Sequence, residues 1–180
     1  MDFQEIGNAI VAFARDHPEW LAPILLVLAF GESIAFVSIV LPFWWMLIAL
    51  GALVGTGGPE FFLALAAASV GAALGDWVSY WLGFTFKDSI RSAWPFRKYP
   101  EMMPKGEAFF EKYGVWAIVI GRFSGPLRAT VPVIAGIVEM PRLKFQIANW
   151  LSAVLWAGVL LLFGDGIGRL LAYGRETLGW

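Results

Sequence analysis

The chain has 180 residues and a formal net charge of −1, with 59% apolar and only 15% charged residues. Soluble domains contain about 25% charged residues, so this composition excludes an ordinary soluble domain and indicates an integral membrane protein. With a net charge of −1 the chain has no strong positive field that would attract nucleic acid, so we do not expect a nucleic-acid partner. The chain contains no cysteine and a single histidine, His17, so we expect no disulfide, no metal site and no cofactor.

The first segment, residues 1–17, is predicted to form an amphipathic helix. Phe3, Ile6, Ile10 and Phe13 recur at steps of three and four residues, which gives a polar helix one apolar stripe. This pattern is typical of a helix that lies in the membrane interface. The charged residues that precede the first apolar run do not fit a cleavable signal peptide.

Apolar segments follow at residues 20–57, 60–86, 113–138 and 145–163. The second and fourth segments are predicted to cross the membrane as single helices, since a span needs about 20 residues. The first and third segments contain Pro42 and Pro126 near their middle. Proline disfavours helix at the residue before it, and non-helical backbone at membrane depth must be buried or line a watery cavity. These two segments are therefore predicted to be re-entrant hairpins.

The two halves of the chain resemble each other weakly. Pro126 lies 84 residues after Pro42, and Pro141 lies 82 residues after Pro59. Interrupted segments at corresponding positions of two halves are typical of an inverted repeat with a central site. The predicted fold is an all-α integral membrane protein. It combines spanning helices with two opposed re-entrant hairpins in an inverted repeat, and with interfacial amphipathic helices.

The polar connection at residues 87–112 holds six of the thirteen Lys and Arg residues. The positive-inside bias therefore places it in the cytoplasm. Within it, Pro104–Tyr113 is predicted to be a short interfacial helix, with Phe109 and Phe110 lying on the membrane.

The second apolar segment carries small residues at every fourth position. They are Ala67, Gly71, Gly75, Ser79 and Gly83. A ladder of small side chains lets another backbone approach closely, which stabilises helix association in lipid. We interpret the ladder as a packing surface and not as a ligand site.

Four charged residues interrupt the apolar segments: Glu32, Asp76, Arg122 and Arg128. Each charge at the centre of a membrane helix costs roughly 2.5–3.5 kcal/mol on insertion scales. Two acids and two bases predict mutual pairing, which recovers much of that cost. Such pairs either lock the fold or carry function, and we favour function because intramembrane charges usually serve it.

Arg122 and Arg128 are predicted to form an anion site. On a continuous helix, six residues apart, their side chains would diverge by about 120°. A break at Gly125 and Pro126 would let them converge, and a helix beginning at Pro126 would present free backbone amides with Arg128 in its first turn. Guanidinium groups and a positive helix end together favour phosphate as the ligand.

The run GRFSGPLRATVPVIAG, Gly121–Gly136, resembles the signature of the DedA membrane proteins, also called the SNARE-associated Golgi protein or VTT family. Glu32 resembles the acid that precedes the first re-entrant segment of that family, and Gly75–Gly83 resembles its Gly-Asp-x-x-x-Tyr-x-x-Gly element. Together these motifs cover most of residues 32–156 in the same order.

The resemblance implies a multi-pass protein of the bacterial inner membrane with two opposed re-entrant hairpins. It implies translocation of undecaprenyl phosphate or scrambling of phospholipids, so membrane lipids are the expected partners and nucleic acid is not. The chain departs from the family after Pro42, where Phe43, Trp44 and Trp45 stand in place of an acid. Coupling to protons, if present, would then rest on Glu32 and Asp76, and a homo-oligomer is left open.

Two other functions are left open by the residues. The chain could be a proton-coupled exporter of small solutes, with the arginines only balancing the acids, or a non-transporting scaffold for envelope assembly. We do not expect an enzyme. The glycines of Gly164–Gly168 lack the spacing of a nucleotide-binding loop, and no histidine lies near the arginines.

Overall fold

A computed structural model describes residues 3–35, 37, 43–55, 58–92, 96–124, 128 and 130–178. These residues form helices and turns and no strand. The helices are α1 (Phe3–Asp16), α2 (Leu21–Ser33), α3 (Trp44–Val54), α4 (Pro59–Thr85), α5 (Lys87–Arg91), α6 (Met102–Tyr113), α7 (Trp116–Phe123), α8 (Val131–Ile137) and α9 (Arg142–Leu178), with a 3₁₀ turn at Pro18–Trp20. Pro42, Gly125 and Pro126, at which the sequence places the two breaks, lie outside the described residues.

Two described helices, α4 and α9, are long and apolar enough to cross a membrane. They contain 27 and 37 residues and include the segments 60–86 and 145–163 that were predicted to span, except for Phe86. Helix α9 continues to Leu178, through a polar stretch that the sequence analysis did not assign to a helix. Asp165 and Arg169 form an i,i+4 ion pair of 2.9 Å in this continuation, and such pairs stabilise helices at polar ends.

Helix α2 ends at Ser33, in the middle of the first apolar segment. The next residue, Ile34, has extended backbone, and the amide of Ala35 donates a hydrogen bond of 2.8 Å to Oγ of Ser79 on α4. The hydroxyl of Ser79 therefore satisfies backbone that leaves the helix, as a non-polar environment requires. Glu32 lies in the last turn of α2 because the helix ends here.

The small-residue ladder of α4 packs against two different helices. A Cβ atom at Gly71 or Gly75 would collide with the backbone of α2. A Cβ atom at Gly83 would collide with the carbonyl oxygen of Val133 on α8. The predicted close approach of backbones is confirmed, and it fixes α4 between α2 and α8.

The amphipathic segments are helical, as predicted, but their contacts differ. Helix α1 packs against α3, with Gly7 directly beneath the ring of Trp45. Helix α6 lies against α8, where Gly106 contacts Ile134. Phe110 is buried in this interface at 8% exposure. The prediction that Phe110 lies on the membrane is therefore wrong, because α8 offers it an apolar surface within the protein.

Candidate functional site

Arg122 is held by a dense set of hydrogen bonds. It lies in the last turn of α7, and its side chain is almost completely enclosed. Nη2 donates to the carboxylate of Asp76 on α4, with which it also forms an ion pair. The same nitrogen donates to Oδ1 of Asn149 at 2.7 Å, and Nε donates to Oγ of Ser152 at 3.0 Å. A guanidinium group fixed by three side chains has little freedom to move.

Asn149 links this arginine to the backbone of the spanning helix α4. It lies on α9 with no exposed surface, and its Nδ2 donates to the carbonyl oxygen of Ala73 at 2.9 Å. One face of α9 thus carries Asn149, Ser152 and, one turn further, Trp156. Because positions three and four apart share a helix face, all three side chains point into the same interior.

Arg128 has a looser environment than Arg122. Nη1 lies 3.6 Å from Oε1 of Glu32, which is an ion pair longer than a hydrogen bond, and Nη2 donates to Oγ of Ser33 at 3.0 Å. The guanidinium carbon lies 4.1 Å from the ring centroid of Trp156, a cation–π contact. The side chain keeps 11% of its area exposed. Arg128 is therefore the more accessible of the two arginines.

Glu32 connects Arg128 to the start of α3. Its Oε2 accepts a hydrogen bond of 2.8 Å from the backbone amide of Phe43, the residue before that helix. The carboxylate thus contacts a cation on one oxygen and a helix N-terminus on the other. Both contacts favour its charged form over a neutral one.

Three buried side-chain atoms of the described residues have no hydrogen-bond partner there: Oδ1 of Asp76, Nη1 of Arg122 and Nε of Arg128. Asp76 also interacts electrostatically with both arginines, by direct contact with Arg122 and through space with Arg128. Buried polar atoms normally find partners, so atoms in a charged cluster that have none among the described residues mark it as a candidate binding site. The two nitrogens, of Arg122 and Arg128, that lack partners in the described part of the chain are donors, which suits an oxyanion.

The structure brings all four predicted charges into one cluster. Each acid pairs with one arginine, as the balance of charges predicted. The predicted position of Arg128 on a helix is wrong. Helix α8 begins at Val131 and not at Pro126, because Pro132 takes the early helical position that tolerates a missing N–H. Arg128 lies in a turn before it.

Sequence reasoning missed Asn149, Ser152, Trp156 and Ser33 as members of the cluster. Asn149 and Ser152 do interrupt the most apolar segment of the chain, and their spacing of three residues places them on one helix face. This spacing could have identified the two residues as candidate members of the site. The contacts of Trp156 and Ser33 with Arg128 depend on how the chain passes between α7 and α8, which no local pattern specifies.

Comparison with known proteins identifies relatives of this chain. The VTT domain matches residues 41–166. The inner membrane protein YabI of Escherichia coli is 36% identical over 141 residues, which cover 78% of this chain and 55% of that protein. YghB and YqjA, inner membrane proteins of the same bacterium, are 33% and 31% identical over 69% and 81% of this chain, and over 58% and 67% of their own lengths.

The chain therefore spans little more than half the length of the first of these relatives. No solved structure matches it significantly. Because these relatives are inner membrane proteins and α4 and α9 are long enough to span, the protein is located in the bacterial inner membrane.

Proposed function

We propose that this chain, which belongs to the DedA family of VTT-domain membrane proteins, translocates lipids that carry a phosphate group across the inner membrane. Undecaprenyl phosphate and ordinary phospholipids are the two substrate classes that fit. The phosphate enters the charged cluster while the lipid tail remains in the bilayer. The tail then needs no apolar cavity within the protein.

The observation that carries this proposal is the pair of buried guanidinium groups, each with a donor that has no partner among the described residues. Nη1 of Arg122 and Nε of Arg128 are buried without a described partner, and Arg122 also pairs with Asp76 through its other terminal nitrogen. Guanidinium groups bind phosphate by directed hydrogen bonds that a lysine does not reproduce. Arg128 is the residue that meets the headgroup first, since it is more exposed and is held by fewer contacts than Arg122.

We further propose that the short helices α3 and α8 belong to two re-entrant hairpins in an inverted repeat. Helix α3 packs on α9, where Gly51 and Gly164 allow close approach, and α8 packs on α4, where Gly83 and Gly136 do the same. Each short helix therefore packs on the long helix of the other half. This reciprocal arrangement is what an approximate two-fold axis would produce.

Contacts at and near the end of α8 also support a segment that enters and returns. Glu139, just after α8, forms an ion pair with Lys87, just after α4. Helix α6, which leads into the segment, packs on α8 through Gly106 and Ile134. A single crossing would separate the two ends by about 30 Å of hydrocarbon.

One set of contacts also supports a second candidate function, a scaffold that transports nothing. Arg122, Asp76, Asn149 and Ser152 form a network that would stabilise the fold even with no ligand. A scaffold would need nothing more. Arg128 distinguishes the two functions, because its 3.6 Å ion pair contributes less to a fixed fold than the enclosed pair of Arg122.

The test is lipid translocation in liposomes that contain this protein alone. A fluorescent phosphatidylglycerol should cross the bilayer far faster than in protein-free liposomes. A fluorescent diacylglycerol, which lacks phosphate, should cross at the same rate with and without the protein. Arg128→Lys should lose most of the acceleration while folding normally. Arg169→Lys is the matched control, because Arg169 lies on the exposed part of α9 with 67% of its side chain exposed.

Two results would count against the proposal. Full activity of the Arg128→Lys and Arg122→Lys double variant would remove the arginines from the mechanism. Folded protein that accelerates no lipid would leave the cluster with a structural role and support the scaffold.

A further inference from the structure

A cavity lies outside the charged cluster, in the connection between α4 and α7. Its volume is about 610 Å³, and it is bounded by the end of α5, the turns at residues 96–100 and the start of α6. Phe96 and Met103 line it and are buried, at 1% and 7% exposure. Arg91 and Arg97 line it as well. The cavity thus combines an apolar wall with two guanidinium groups.

The two arginines are not equally neutralised. Nη2 of Arg91 donates a hydrogen bond of 2.8 Å to Oε1 of Glu107, which also lines the cavity. Arg97 forms no ion pair with a described residue. Among the described lining residues one acid therefore faces two bases, which gives this lining a net positive charge. A cavity of this composition is suited to an anion.

The position of the cavity relates it to the membrane surface. Helix α5 begins two residues after α4 ends, so the cavity lies close to the end of a membrane-spanning helix. Large aromatic side chains are exposed around this end of the protein: Trp81, Phe86, Tyr99 and Tyr113. Exposed aromatic residues collect where the bilayer meets water. These aromatic residues indicate that the cavity lies close to the membrane surface.

We propose that this cavity binds the phosphate of an anionic phospholipid in the leaflet that it faces. Arg97 supplies the free charge, Arg91 supplies a second fork of donors, and Phe96 and Met103 contact the glycerol region. Basic pockets at the membrane surface recognise lipid headgroups in this way. The site is separate from Arg122 and Arg128, so it requires no translocation and remains testable if translocation fails.

Binding can be measured on the purified full chain in detergent. A short-chain fluorescent phosphatidylglycerol should bind, with fluorescence anisotropy as the readout, and phosphatidylcholine of equal chain length should bind much less. Arg97→Gln should weaken binding of phosphatidylglycerol about fivefold, the equivalent of about 1 kcal/mol for one basic residue near the lipid surface. Lys98→Gln removes the same charge from the neighbouring position, which does not line the cavity, and should change affinity less than twofold.

Replacing an acidic residue of the cavity should raise the affinity for phosphatidylglycerol, whereas replacing Arg97 should lower it. Glu107→Gln releases Arg91 from its ion pair and should tighten binding of phosphatidylglycerol. Glu101→Gln, which removes an acid outside the cavity, should leave it nearly unchanged. Equal effects at Arg97 and Lys98, or at Glu107 and Glu101, would show diffuse surface charge and overturn the site. Displacement of the lipid by equimolar inorganic phosphate would assign the cavity to a soluble anion and overturn the lipid.

Discussion

Arg122 and Asp76 form an ion pair in which only 1% and 5% of the two side chains are exposed. The other pair of the cluster, Arg128 and Glu32, is more exposed, and its closest atoms are 3.6 Å apart. The difference follows from the surroundings. Arg122 also donates to Asn149 and Ser152 on α9, whereas Arg128 lies in a turn and rests on a ring face. We therefore infer that the first pair holds the helices and the second meets the ligand.

Replacing Asp76 should destabilise the protein. Asp76→Asn leaves Arg122 buried with no counter-charge, and breaking one side of a buried ion pair costs about 3–5 kcal/mol. Thermal unfolding in detergent should show a clear loss of stability. Glu107→Gln breaks the ion pair with Arg91, in which both side chains are exposed, at 36% and 46%, and should cost less than about 1 kcal/mol. Equal losses in the two variants would mean that the enclosed pair does not hold the helices.

Trp156 should matter to transport through its ring face. Its contact with the guanidinium of Arg128 is enclosed, and cation–π contacts are worth about 2 kcal/mol when desolvated. Trp156→Phe keeps a ring face and should retain most lipid translocation, whereas Trp156→Leu should reduce the rate severalfold. The measurement is fluorescent lipid translocation, with unfolding temperature checked for both variants. A folded Leu variant with the rate of the wild type would remove the ring from the mechanism.

The contact between α4 and α8 should not tolerate a single methyl group. Gly83→Ala places a Cβ against the carbonyl oxygen of Val133, so the two backbones must separate. We expect a lower unfolding temperature and less folded protein in the membrane. Gly166→Ala is the control, because no heavy atom lies near the added Cβ and alanine favours helix. If both variants unfold like the wild type, this packing surface contributes nothing.

Much of the fold could be predicted from periodicity and length. Helix α4 and the first part of α9 coincide with runs of about 20 apolar residues, and α1 follows its apolar stripe. The end of α9 could not be predicted in this way. Its polar residues resemble a loop in hydropathy, and the ion pair of Asp165 with Arg169 that supports the helix is a weak signal.

The candidate site was only partly predictable for a different reason. A charge in an apolar segment carries a high free-energy cost of membrane insertion. This cost alone identifies the four charged residues Glu32, Asp76, Arg122 and Arg128. Which acid meets which base depends on tertiary packing. The start of α8 at Val131 was missed because Pro132 and Pro126 suit an early helical position equally well, and only the fold selects between them.

Cysteine accessibility should test the proposed second hairpin. The chain contains no native cysteine, and Tyr113 and Val138, at the two ends of the segment, are each 37% exposed. Cysteines at these two positions should react with a membrane-impermeant maleimide from the same face. A cysteine at Glu60 should react from the opposite face, since α4 has 27 residues and is about 40 Å long. Reaction of positions 113 and 138 from opposite faces would mean that the segment crosses the membrane.

Glu32 should link translocation to protons. Its carboxylate faces Arg128 at 3.6 Å and accepts a hydrogen bond from the amide of Phe43. A lipid phosphate that binds Arg128 takes this cation away, and a carboxylate left buried without its cation favours the protonated form. Phosphate entry should therefore bring proton uptake, and the translocation rate of the wild type should depend on pH.

Glu32→Gln keeps an acceptor for the amide of Phe43 but carries no charge. It should therefore fold and translocate lipid at the same rate at acidic and neutral pH. Glu60→Gln, an exposed acid at the start of α4, should keep the pH profile of the wild type. An unchanged profile in Glu32→Gln would leave Glu32 as a counter-charge with no part in coupling.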